Sequence, residues 1–147
     1  MELGLCKCKE VKINMEELTH ADKIAVLRIL NDIINADKII KDVEVDYMNE
    51  IACSFELADD FMNEVNNLVT LQALSIVRAL PAELKEKIAK MMGKMIVIDK
   101  DINYNEVKLY NAVCESCNIE RDFNVEDYPD FTLSGPFVNP EDLMNII

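Results

Sequence analysis

Asp37 with Glu44, and Asp99 with Glu106, are the residues whose types and spacing suit chemistry, because each pair frames the same pattern, Asp-x-x-Ile-x-x-x-Glu. Four carboxylates offer hard oxygen ligands, the donors that Ca²⁺, Mg²⁺ or Mn²⁺ prefer. In "VIDKDINYNE", residues 97–106, Asp99, Asp101 and Asn103 also fall at alternate positions, as a helix-loop-helix calcium site begins. That pattern then fails. Its sixth and twelfth positions require Gly and a bidentate Glu, and Tyr104 and Tyr110 stand there. The same residues have a purely structural account: the Asp ending one helix accepts loop N–H groups, Ile40 or Ile102 plugs the core, and the Glu is the third helical residue of a capping box. Asn103 with Glu106 fits that box closely.

The elements that must position these carboxylates form a repeat. Residues 18–61 align without a gap on 80–123. Leu18 meets Leu80, Lys23 meets Lys85, Asp37-Lys38 meets Asp99-Lys100, and Ile40 meets Ile102. Further on, Glu44-Val45 meets Glu106-Val107, Asn49 meets Asn111, Ser54 meets Ser116, and Asp60-Phe61 meets Asp122-Phe123. Each copy reads as helix, short loop, helix. Asn14 and Glu17 mark a capping-box start, and Ile24, Leu27, Leu30 and Ile34 recur at helical spacing, which predicts a helix from about 15 to 36. Val45, Met48, Ile51, Ala52 and Phe55 predict the buried face of a second.

In the other copy Pro81 suits a first helical turn, Leu84, Ile88, Met91 and Met95 form the stripe, and Val107, Tyr110, Val113, Cys114 and Cys117 form that of its partner. The expected organisation is one all-α domain over residues 1–147: repeat one over 15–58, connecting helices over 59–79, repeat two over 80–123 and a tail over 124–147. Asp59 or Asp60 is expected to cap the helix carrying Phe61, Val65 and Leu68, and "TLQALSIVRAL" follows as another helical stretch. Phe131, Leu133, Phe137, Leu143 and Ile146 suggest that the tail lies on the domain, with a short closing helix begun by Asn139-Pro140. A pseudo-twofold axis between the repeats would bring both acidic loops to one end of the bundle. Without a cation, four converging carboxylates would raise at least one pKa.

"NADKIIKDVE" and "VIDKDINYNE" also make the chain resemble the TerB-like domains of the tellurite-resistance family, over roughly residues 15–123. Their loop typically reads Ala-Asp-Gly-x-Ile/Val, a small polar residue and then Glu, twice in an all-helical domain. The resemblance implies a non-enzymatic helical bundle in a stress-response setting, with a divalent cation held by Asp37, Glu44, Asp99 and Glu106. Lys38 and Lys100 replace the family glycine, and Lys41 stands where the polar cap is expected. A lysine adopts the left-handed turn that the glycine allows only at some cost.

The remaining composition narrows the alternatives. A net charge of −13, without a basic run or zinc-finger spacing, argues against nucleic-acid binding. No apolar run approaches the roughly 20 residues that cross a bilayer, and "MELGLCKCKE" lacks a secretory start, so a cytoplasmic protein without membrane insertion is expected. Five cysteines without export signals predict reduced thiols. A zinc site from Cys6, Cys8, Cys114 and Cys117 conflicts with the inward stripe on which the last two lie. His20 has no catalytic spacing, and no nucleophile motif or phosphate loop is present, so no enzyme is expected. Met92 is left outside the helix stripe. The second functional expectation is an interaction module whose acidic surface or tail docks a basic or apolar protein partner, the loops being structural.

Overall fold

Thr19 opens the first helix. Its backbone is extended, its hydroxyl accepts the Asp22 N–H at 3.1 Å, and the Asp22 carboxylate accepts the Thr19 N–H at 3.0 Å. This reciprocal box starts α1 at His20–Ile34, later than the periodicity predicts, because an extended Thr19 cannot lie inside a helix. The computed structural model describes residues 18–37 and 39–135, Asp37 by its backbone only, so the expected cap at Asn14 and the closing helix after Asn139 lie outside the described residues.

Among the described residues six helices follow in order: α1, then α2 (Asp42–Ser54), α3 (Phe61–Asn67), α4 (Thr70–Arg78), α5 (Ala82–Val97) and α6 (Tyr104–Cys117). A 3₁₀ turn, Asn35–Asp37, extends α1, and another, Val125–Asp127, lies beyond α6. The fold is mostly helical, as composition requires. The described residues also contain two strands that periodicity does not reveal, β1 (Asp101–Asn103) and β2 (Thr132–Ser134), paired in parallel with Ile102 opposite Leu133.

Helix α1 is central. Its Ala25, Val26, Leu27, Leu30 and Ile33 are fully covered, and it packs most extensively on α4 while also meeting α2, α3, α5 and α6. The stripes of α5 and α6 are buried as their spacing predicts, including Cys114 and Cys117. Met92 belongs to the core as well, with no exposed surface. Pro81 sits at the N-cap of α5 rather than within its first turn. Asp60 takes the N-cap of α3 without a side-chain bond. The Tyr110 hydroxyl accepts the N–H groups of Asp122 and Phe123 at 2.7 and 3.0 Å, and Phe123, Tyr128 and Phe131 continue the aromatic contact outward, which lays the segment after α6 on the core.

Two expectations for the first copy do not hold. Val45 is 39 % exposed rather than buried, because α2 turns Glu44, Tyr47, Met48, Ile51 and Ala52 inward and leaves Val45 beside that stripe. Ile40 does not plug the core: it is 56 % exposed, whereas Ile102, its aligned counterpart, is fully buried. Ile102 lies in β1, which packs on α5 and α6 and pairs with β2, whereas Ile40 lies in no helix or strand. Among the described residues no helix is long and apolar enough to cross a membrane.

Candidate functional site

The acidic loop between α5 and α6 is built on the end of α5. Asp99 turns the chain by accepting the Asp101 N–H at 3.0 Å, and Lys100 between them takes the left-handed conformation, φ 64°. This is the position where the TerB-like loop has glycine. Asn103 then starts α6, its side-chain oxygen accepting the N–H groups of Asn105 and Glu106 at 2.8 and 3.3 Å. Cap and turn therefore fix Asp99 and Asp101 on one short stretch of backbone.

Into this stretch reaches Lys41 from the other loop. Its ammonium donates to Asp99 Oδ2 and stands 3.6 Å from Asp101 Oδ2. Lys41 is also the N-cap residue of α2, and its N–H donates to Glu44 Oε1 at 3.2 Å. One residue thus ties the start of α2 to the loop between α5 and α6. The bond to Asp99 is the main cause that raises the Lys41 pKa, against an opposing effect of burial, with the charges of Asp99, Asp101 and Glu44 adding to the rise.

Asp101 faces a second set of donors. Ser134 Oγ donates to its Oδ2 at 2.6 Å and Thr132 Oγ1 to its Oδ1 at 2.5 Å, while Asn103 Nδ2 donates to Ser134 Oγ at 3.2 Å. Burial alone would raise the Asp101 carboxyl, yet the two hydroxyls and the Lys41 ammonium together hold it below the usual range. Strand β2 is thereby fastened to β1 by side chains as well as by the ladder. A tight approach follows: Gly135, at φ 126°, lies so near Tyr104 that a Cβ would stand 2.6 Å from the Tyr104 Cβ.

Of the four carboxylates expected to hold a metal, Asp37 ends the 3₁₀ turn and its side chain lies outside the described residues. Glu44 and Glu106 are buried in the first turns of α2 and α6. Asp99 is bonded to Lys41. Among the described residues no group of three or more His, Cys, Asp or Glu side chains is arranged to hold a metal ion. The arrangement instead pairs two carboxylates with one ammonium, and one charge of each sign is matched closely by geometry.

Sequence reasoning named Lys41 only as a departure from a pattern and did not name Asp101, Thr132 or Ser134 as partners. A signal was present in both cases. A lysine aligned with Asn103 puts a cation where a cap acceptor belongs, and Thr-Leu-Ser alternates hydroxyl, apolar and hydroxyl side chains, as a strand over a polar edge requires.

The other reactive side chains have quieter surroundings. The Cys114 thiol is pushed up to about 11, chiefly by burial, and burial raises Cys117 as well, so both remain protonated thiols at neutral pH. Cys53 is disulfide-bonded, which departs from the expectation that all five cysteines would be reduced, whereas Cys114 and Cys117 are free. His20 is exposed and lies 2.8 Å from Glu64 Oε1, a surface pair.

No family model and no curated protein matches the chain. Its fold is similar to the crystal structure of a protein of unknown function from Porphyromonas gingivalis W83, at 21 % identity and a TM-score of 0.63, covering 84 % of this chain and 92 % of that one. The likeness extends over nearly the whole of both chains, and at this identity it is a likeness of fold.

Proposed function

We propose that this chain is a non-enzymatic, TerB-like helical domain of two helix-loop-helix repeats that acts by contact with another protein. Its acidic loops are a structural joint between the repeats, and the Lys41 ammonium takes the place that a divalent cation would take. The observation that carries this reading is the bond from Lys41, in one loop, to Asp99, in the other, with Asp101 adjacent. An internal cation already compensates the carboxylates, and a metal ion would have to displace it. The sequence resemblance supports the family and the stress-response setting; the matched alignment of 18–61 on 80–123 supports the repeat.

The test is the thermal midpoint of metal-free protein titrated with Ca²⁺, Mg²⁺ and Mn²⁺ at constant ionic strength, for wild type and Lys41→Met. Wild type is expected to show no saturable rise. Lys41→Met is expected to melt lower and to be raised by divalent cations, because its carboxylates lack their counter-charge. A ligand at about 100 times its dissociation constant adds roughly 2.7 kcal/mol to a folded state that alone binds it. A rise of that size in wild type, lost in Asp37→Asn with Asp99→Asn, would overturn the joint and establish a cation site at Asp37, Glu44, Asp99 and Glu106.

A further inference from the structure

We infer that the first loop and the start of α2 form a docking face for a protein segment that presents apolar side chains ringed by Lys or Arg. This rests on the interaction reading above and gives the partner its chemistry. Ile39, Ile40, Val43 and Val45 follow one another along the loop and the first turn of α2, exposed by 60, 56, 43 and 39 %. Exposed large aliphatic side chains that adjoin mark a contact surface; Val45, two residues beyond Val43 on the helix, lies off the side that Val43 occupies.

The second copy shows what closure of such a surface looks like. Ile102 and Val107, aligned with Ile40 and Val45, have no exposed surface, and β2 lies beside Ile102 with Leu133 opposite it. A segment carrying an apolar residue, with two hydroxyls directed at the Asp101 carboxylate, pairs with that loop. Ile40 and Val45, at the same positions of the first copy, are exposed.

Charge decides what kind of segment fits. From Asp42 to Ser54 the chain has Asp42, Glu44, Asp46 and Glu50 and no basic residue, and Asp42 and Asp46 are exposed beside Val43 and Val45. Lys41, next to Asp42, is directed to Asp99 and Asp101, and Lys94 lies over the Tyr47 ring of α2. A second copy of this chain, at −13, would bring like charge to the face, whereas a basic segment brings the complement.

The experiment uses the full chain and a fluorescein-labelled synthetic Leu/Lys amphipathic peptide, followed by anisotropy in about 150 mM NaCl, an ionic strength that screens diffuse attraction beyond about 8 Å. A Ser/Lys peptide of equal charge and a Leu/Glu peptide are the controls. Saturable binding of the Leu/Lys peptide alone is expected, at least tenfold weaker for Ile40→Ser with Val43→Ser and severalfold weaker for Asp42→Asn with Asp46→Asn. Glu83→Gln with Glu86→Gln, which removes the same charge from the exposed start of α5, is expected to stay within twofold of wild type. All these side chains are exposed, so folding is checked by an unchanged circular-dichroism spectrum.

Equal binding of the Ser/Lys peptide, unchanged affinity in the Ile40/Val43 variant, or no saturable binding would overturn the face. A dimer in sedimentation equilibrium that Ile40→Ser with Val43→Ser dissolves would name a second copy as the occupant and overturn a basic partner. A tenfold gain in peptide affinity on Leu143→Ser with Ile146→Ser would name the chain's own C-terminal stretch, with the same consequence. Failure here with no cation effect in wild type leaves the interaction reading to another surface, whereas a cation effect in wild type removes that reading by itself.

Discussion

Lys100 holds φ 64°, where a Cβ crowds the backbone and glycine does not. Lys100→Gly is therefore expected to stabilise the protein by about 0.5–1 kcal/mol after the greater freedom of glycine in the unfolded chain is subtracted. At this chain length that is a rise in midpoint of about 1–4 °C, read by thermal denaturation. Lys41 makes a second prediction at this scale. Its side chain is 34 % exposed and that of Asp99 is 10 % exposed, so solvent weakens the pair without dissolving it. Urea denaturation of Lys41→Met, Asp99→Asn and the double variant is expected to give a coupling of about 1–2 kcal/mol, more than an exposed pair and less than a buried one. Because folding raises the Lys41 pKa, its contribution is complete below about pH 10.4, the ordinary lysine value, and is lost as pH climbs through the higher folded value. The deficit of Lys41→Met should accordingly hold constant through neutral pH and narrow only in strong alkali.

At the scale of elements, the surroundings of Asp101 depend on β2. Thr132→Ala with Ser134→Ala removes both hydroxyls that donate to Asp101 and leaves its carboxylate on Lys41 alone. A loss of about 2 kcal/mol is expected, roughly 1 kcal/mol for each bond. The sign of its pH dependence is opposite to that of Lys41. Folding depresses the Asp101 pKa, so this stabilisation is present above about 3.9, the unfolded value, and is lost as pH falls through the lower folded value. Melting wild type and variant side by side should show their difference shrinking only below about pH 3.9. The helical stripes of α1, α5 and α6 were legible in the sequence because eleven or more residues repeat one face. Strands of three residues leave no period to read, and the partner of β1 comes from beyond α6. Ile40 and Ile102 make the cost plain. They share a motif and differ in burial, and only Ile102 lies in a strand, paired with a segment from beyond α6.

Over the whole molecule, −13 charges on 147 residues oppose compaction, and their mutual repulsion is spread rather than local. Salt screens such repulsion over distances beyond the Debye length, about 10 Å at 0.1 M and about 3 Å at 1 M. The midpoint should therefore rise by a few degrees between low salt and about 0.5 M NaCl and then level off. A contact as close as Lys41 on Asp99 lies within any such length, so its coupling should persist where the surface term has been screened. The same logic separates screening from a site. If CaCl₂ and NaCl at matched ionic strength give superimposable midpoints, calcium acts only through the diffuse atmosphere, and the acidic loops draw their counter-charge from Lys41. If calcium gives a further saturable rise, a specific position on the protein prefers it to sodium, and the carboxylates of the two loops are the first to remove.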